Sequence, residues 1–149
     1  MNSILKQAAI CLIVLTAATA AMAADRIGKI KVASGEVTIT RGGETIVAES
    51  GGDLFEQDVI MTGANSAIGM TFDDNSRVSL GPESSLVLES YAHNASGKQD
   101  TFDLRIRHGS LTAASGDIAK SRPLAMRVLM PTTVLGVKGT EFAVRVARK

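Results

Sequence analysis

The sequence predicts an all-β domain built from short strands. Apolar residues alternate with polar ones through most of the chain, the period of two that gives a strand one buried face. Clusters of Gly, Asp, Asn and Ser interrupt that alternation about every eight to twelve residues, the spacing of turns in all-β folds. After Asp25, no window of helix length repeats apolar residues at intervals of three and four.

The clearest stretch is Asp58 to Leu88. Ile68, Met70 and Phe72 alternate with Gly69 and Thr71, and Asp73-Asp74-Asn75-Ser76 then supplies side chains that bond their own backbone in turns. Val78 and Leu80 resume the pattern, Gly81-Pro82-Glu83-Ser84 breaks it again, and Leu86 and Leu88 restore it. Before this stretch, Ile30 with Val32, Val37 with Ile39, Ile46 to Ala48, Leu54-Phe55 and Val59-Ile60 read as strands separated by turn residues. After it, Ser90 to Asp100 reads as the least regular segment, Phe102 to Ile106 as a strand and His108-Gly109-Ser110 as a turn. Leu111 opens a further short strand, Ala114 to Pro123 reads as a flexible loop, Met126 to Val128 as a strand, and Phe142, Val144 and Val146 as the last. Two architectures fit: a β-solenoid-like stack, favoured by a core of small aliphatics, and a β-sandwich of two antiparallel sheets.

Composition narrows function by exclusion. The chain has 149 residues, enough for one domain, with 16 basic against 15 acidic side chains. No basic stripe with interleaved aromatics supports nucleic-acid binding, and four Phe, one Tyr and no Trp leave few stacking platforms. His93 and His108 are the only histidines, and Cys11 is the only cysteine. No catalytic, cofactor-binding or metal-ligating residue is nominated. Asp53, Asp58, Asp73, Asp74 and Asn75 fit turn chemistry better than any calcium-loop spacing. Ser84 and Ser85 lack a nucleophile elbow, so a hydrolase has no support. Asn94-Ala95-Ser96 matches only the three-residue glycosylation pattern.

The N-terminus carries an export signal by composition. Lys6 precedes an uncharged apolar run from Ala8 to Ala23, Ala21-Met22-Ala23 gives the small-x-small cleavage pattern, and Asp25-Arg26 restores charge. The expected division is a helical signal peptide at 1–23 and a β-domain at 24–149. The run is shorter than the ~20 apolar residues of a spanning helix. Cleavage would remove Cys11, leaving a mature chain without thiols, without a transmembrane segment, and located in the periplasm or outside the cell.

Near the C-terminus, Met130-Pro131-Thr132-Thr133-Val134-Leu135-Gly136-Val137-Lys138-Gly139-Thr140-Glu141-Phe142-Ala143-Val144 resembles the closing motif of the FecR domain. Gly35-Glu36-Val37-Thr38-Ile39 resembles its opening strand, and Gly52-Asp53-Leu54 with Asp58-Val59-Ile60-Met61-Thr62-Gly63 a segment that follows it. Phe72-Asp73-Asp74-Asn75-Ser76 with Leu80 and Leu86, and then Leu104 to Leu111, continue the match from Gly28 to Val146. Met130, Lys138 and Asn75 are mild departures, standing where the family usually has Thr, Arg and Gly. The family is named after a periplasmic regulator that relays an iron-siderophore signal from an outer-membrane receptor to a cytoplasmic sigma factor. No stretch here resembles that regulator's cytoplasmic, membrane-spanning or receptor-contacting parts, so the resemblance does not imply the relay. It implies a non-catalytic extracytoplasmic module without cofactors. Such a module binds or scaffolds an envelope protein or cell-wall component, or assists signalling; the alternative is a structural envelope protein assembling through strand edges.

Edges set the expectation for partners. Glu141 and Arg145 on the last strand predict a protected edge and a monomer. The opening strand, Ile30 to Ile39, ends in uncharged Thr38-Ile39-Thr40 and is the expected docking edge. Gly136 and Gly139 are expected to permit a turn or a close approach, with Gly139 at positive φ, and Pro131 to mark an edge or a strand start.

Overall fold

The computed structural model describes residues 23–94, 98–139 and 141–149. The expected signal helix, and most of the Asn94-Ala95-Ser96 site, lie outside the described residues. Twelve strands form: β1 (Arg26–Ser34), β2 (Val37–Arg41), β3 (Glu44–Val47), β4 (Asp53–Phe55), β5 (Val59–Thr62), β6 (Ala67–Phe72), β7 (Arg77–Leu80), β8 (Ser85–Ala92), β9 (Thr101–Ala114), β10 (Met126–Leu129), β11 (Val134–Val137) and β12 (Glu141–Val146). One short helix, α1 (Asp117–Ser121), interrupts them.

The strands make one curled open sheet, a half-barrel with two wings. The first wing runs β4-β1-β6-β7-β9-β12, and the second runs β3-β2-β5-β8-β9-β10-β11. β9 belongs to both: Thr101 to His108 pair with β8, and Leu111 to Ala114 pair with β7. The wings are therefore not two separate sheets. Nor do the strands wind as a solenoid, since β9 with β10 is the only parallel pairing among the described strands. A coil that turns one way pairs successive strands in parallel, whereas here each of the other neighbouring pairs in the two wings is antiparallel.

The chain crosses between wings at small-residue corners. These lie at Gly35-Glu36 between β1 and β2, at Gly63 to Ser66 between β5 and β6, at Gly81 to Ser84 between β7 and β8, and at Gly109 inside β9. The corners bond to each other. Glu36 N–H donates to Ser66 Oγ at 2.8 Å, and Gly63 N–H to the Glu36 carbonyl at 2.9 Å. Glu83 N–H donates to the Gly63 carbonyl at 3.0 Å, and Ser84 N–H to Thr62 Oγ1 at 2.9 Å. Ser110 N–H closes the series on Ser84 Oγ at 3.0 Å. The predicted turn at His108-Gly109-Ser110 is thus a bend within one 14-residue strand, because Gly109, at φ 100, swings the chain into the other wing without ending it.

Alternation places Ile39, Ile60, Leu86, Leu104, Ile106 and Val128 from the second wing against Ile30, Ile68, Met70, Val78 and Leu80 from the first, all in one core. Phe72 lies 4.6 Å from Phe102 and 6.0 Å from Tyr91, ring centre to ring centre, so both wings meet on an aromatic cluster. Burial, together with the neighbouring Asp74 charge, pushes the Tyr91 phenol above its ordinary range. The predicted loop from Ala114 to Pro123 contains α1, with Ile118 and Ala119 buried. It forms because Gly116 N–H donates to Ser76 Oγ and Ile118 N–H to Asp74 Oδ2; a helix of five residues is too short to show a period in sequence.

Candidate functional site: the open end carrying the closing motif

The expected docking edge is interior. β1 is paired on both sides, by β4 and β6, and β2 by β3 and β5; Thr38 itself faces both Val47 and Met61. Which strands become edges depends on pairings distant in sequence, which local charge pattern does not report. Among the described strands, those with a single partner are β3, β4, β11 and β12.

β11 differs from the other three. β3 begins with Glu44, β4 with Asp53, and β12 carries Glu141 and Arg145, both exposed as expected. β11, Val134-Leu135-Gly136-Val137, has no charge. Val134 is 58% exposed, and Leu124, 63% exposed, lies beside the strand. A Cβ on Gly136 would stand 2.2 Å from Leu124 Cδ2, so this glycine does permit a close approach. Pro131 sits in the turn that starts β11, where Met130 N–H donates to the Thr133 carbonyl at 2.8 Å. Antiparallel alternation from that bonded pair leaves the N–H and C=O of Val134 and Gly136 on the free edge. An uncharged, apolar, unpaired edge is a template for another strand.

A concavity adjoins each end of β11. One, of about 390 Å³, lies at Met130 to Thr133 and is lined by Arg107, Arg145 and Lys149. The other, of about 440 Å³, lies at Lys138-Gly139 and adds Lys120 and Arg122 from the end of α1. No acidic side chain lines either.

Gly139 has the expected positive φ, 64°, but nothing lies within 4 Å of an added Cβ. Gly139→Val should therefore cost only the backbone strain, about 1–2 kcal/mol, and lower the melting temperature by several degrees rather than unfold the domain. A thermal melt followed by circular dichroism checks this.

The other residues singled out in the sequence sit in structural roles. Asp73 pairs with Arg26 at 3.4 Å and Asp53 with Lys29 at 3.5 Å. Asp58 is fully buried and takes Arg41 Nη2 at 2.7 Å and Nε at 2.8 Å. Asp74 is bound within its own turn, where Asn75 has φ 66°. These carboxylates go to separate partners and do not converge. Ser84 Oγ serves the corner, His108 Nδ1 meets the Glu83 carbonyl at 2.8 Å, and His93 meets Asp100 at 3.3 Å. The six cations around β11 are scattered from Arg107 to Lys149 and cluster only in the fold; in the sequence Lys138 and Arg145 stand out singly, one within the closing motif and one on the last strand.

Among the described residues, no helix is long and apolar enough to cross a membrane. Neither curated proteins nor solved structures give a match. The model of the family described as FecR protein matches residues 58–149, which hold five of the seven strands of the second wing and the whole open end. FecR domains are extracytoplasmic and belong to a signalling-related, non-enzymatic family. With the match spanning more than half of the sequence and ending on the motif that builds β11 and β12, the chain belongs to the FecR family.

Proposed function

We propose that this protein is a non-catalytic binding module of the cell envelope, exported to the periplasm, which holds a partner protein by adding a strand to β11. The single observation carrying this reading is the uncharged free edge of β11, flanked by exposed Val134 and Leu124, within the family's own closing motif. Strand addition gives affinity through main-chain bonds and selects through side-chain pockets. An accessory or scaffolding role in signalling fits such a module. Periplasmic placement rests on the sequence of Ala8 to Ala23 and on the extracytoplasmic habit of the family; an intact mass of the exported protein beginning at Ala24 checks it.

Val134→Pro tests the docking. Its N–H lies on the free edge, so proline removes a donor that the ladder does not use and is tolerated there. The variant is expected to melt within a few degrees of the parent and to lose capture of envelope proteins. Unchanged capture by the folded variant would show that the partner binds elsewhere. A structural protein assembling through its edges would instead give concentration-dependent polymers in sedimentation.

A further inference from the structure

We infer that the segment received by β11 is acidic at both ends and apolar in the middle: an extended stretch of another polypeptide with carboxylates flanking a β-branched core. The inference rests on the docking reading above and specifies the partner's chemistry.

The charges carry it. The whole chain is nearly neutral, yet Arg107, Arg145 and Lys149 gather at one end of β11, and Lys120, Arg122 and Lys138 at the other. Among the described residues none of the six forms an ion pair; Arg122 Nη2 donates to the Asp100 backbone carbonyl at 2.7 Å. Elsewhere Arg26, Lys29, Arg41, Arg105 and Arg127 each have a carboxylate within 4 Å. Of the ten described cations without an ion pair, six bracket the uncharged edge of β11; Lys31, Arg77, Lys98 and Arg148 are the others. β11 has four residues and a span of about 13 Å at ~3.3 Å per residue. A partner strand laid along it with four or five central residues would carry the residues beside them into the concavities. Val134 and Leu135 require apolar partners between them. Carboxylates beyond each end would find three guanidinium or ammonium groups and no competing acid. Such rim charges steer encounter and exclude the wrong partner more than they add affinity.

The probe is a labelled synthetic peptide with five β-branched residues between two pairs of Glu, and the control has Lys in place of Glu. Anisotropy with the mature protein at low salt is expected to show binding of the Glu peptide at least tenfold tighter than the Lys peptide. Raising the salt to 0.5 M should erase most of the difference, because exposed charges are then screened. R145E/K149E and K120E/K138E, all at exposed side chains, should each weaken the Glu peptide about tenfold while melting like the parent. Equal binding of the two peptides, or indifference to both charge reversals, overturns the inference. So does displacement of the Glu peptide by an acidic polysaccharide or anionic vesicles at equal charge, since the cations would then serve any polyanion. Val134→Pro separates the two readings. If it abolishes binding of both peptides while the charge variants change only the preference, docking and chemistry both stand. If it leaves the Glu peptide bound, edge docking fails. A mature protein that sediments as a dimer and loses the dimer in Val134→Pro puts a second copy on the edge, and overturns the acidic partner.

Discussion

Gly109→Val is expected to prevent folding. Gly109 sits at the bend of β9 with φ 100, a backbone state that a β-branched residue does not hold without strain. The added Cβ would stand 2.1 Å from Ser84 Oγ and 2.4 Å from Ser84 Cα. A rotamer change relieves the first contact but not the second, which is with backbone. Ser84 cannot retreat, because its N–H is held by Thr62 Oγ1 and its hydroxyl by the Gly81 carbonyl and Ser110 N–H. Displacing it opens the corner across three neighbouring strand crossings. Backbone strain of about 1–3 kcal/mol, overpacking of about 1–3 and one or two lost hydrogen bonds at about 1 each approach the whole stability of a domain. The measurement is the thermal melt of the purified variant. A midpoint within a few degrees of the parent would mean that the bend at Gly109 is not the state it occupies. Gly43→Val makes the contrast: its φ is 83, but no atom lies within 4 Å of a Cβ there, so only the strain remains.

That pair of glycines shows what the sequence discloses and what it withholds. Period-two alternation locates most strands, because burial of one face is a local property of each strand. The turn chemistry of Asp73 to Ser76 is also local, and Asn75 takes the positive φ that its side chain tolerates. Gly81 to Ser84 is written in similar residues and yet is not a hairpin. β6 and β7 pair with each other across Asp73 to Ser76, whereas β7 and β8 go to different wings across Gly81 to Ser84. The difference lies in what Ser84 bonds, Thr62 and Ser110, 22 and 26 residues away. Edges are hidden for the same reason. Thr38-Ile39-Thr40 reads as an open strand until β3 and β5 enclose it, and Val134-Leu135-Gly136-Val137, legible in the sequence only as part of the closing motif, forms a strand with nothing paired beyond it. The basic ends of β11 come from β9, α1, the turn after β11 and the C-terminal residues, which no sequence window contains together.

Asp74→Ala is expected to carry the second large effect. Asp74 is fully buried, and its carboxylate is the point where the β6–β7 turn, β8 and α1 join. It accepts from Ser76 Oγ at 2.6 Å, Ser76 N–H at 3.2 Å, Ile118 N–H at 3.3 Å and the Tyr91 hydroxyl at 3.4 Å. Alanine keeps the backbone bonds, in which Asp74 N–H donates to Tyr91 Oη and the Asp74 carbonyl accepts from Asp117 N–H. It leaves the Ile118 amide, the Ser76 amide and the Ser76 hydroxyl proton, on residues that are fully buried, without that acceptor. At about 1–3 kcal/mol for each buried group left without a partner, the loss is on the order of 3–5 kcal/mol. Asn at this position keeps one acceptor but sets its NH2 against Ile118 N–H in one orientation and against Ser76 N–H in the other, so it is expected to fall between alanine and the parent. The effect also has a location. α1 has five residues and no side-chain cap, so without Asp74 it should open before the sheet does. Hydrogen exchange at Ile118 and Ala119 should accelerate well beyond exchange at Leu104 and Ile106, and protease should cut between Ala114 and Pro123 while the sheet remains folded. Equal exchange at all four positions would place the anchor of α1 elsewhere, in the burial of Ile118 itself.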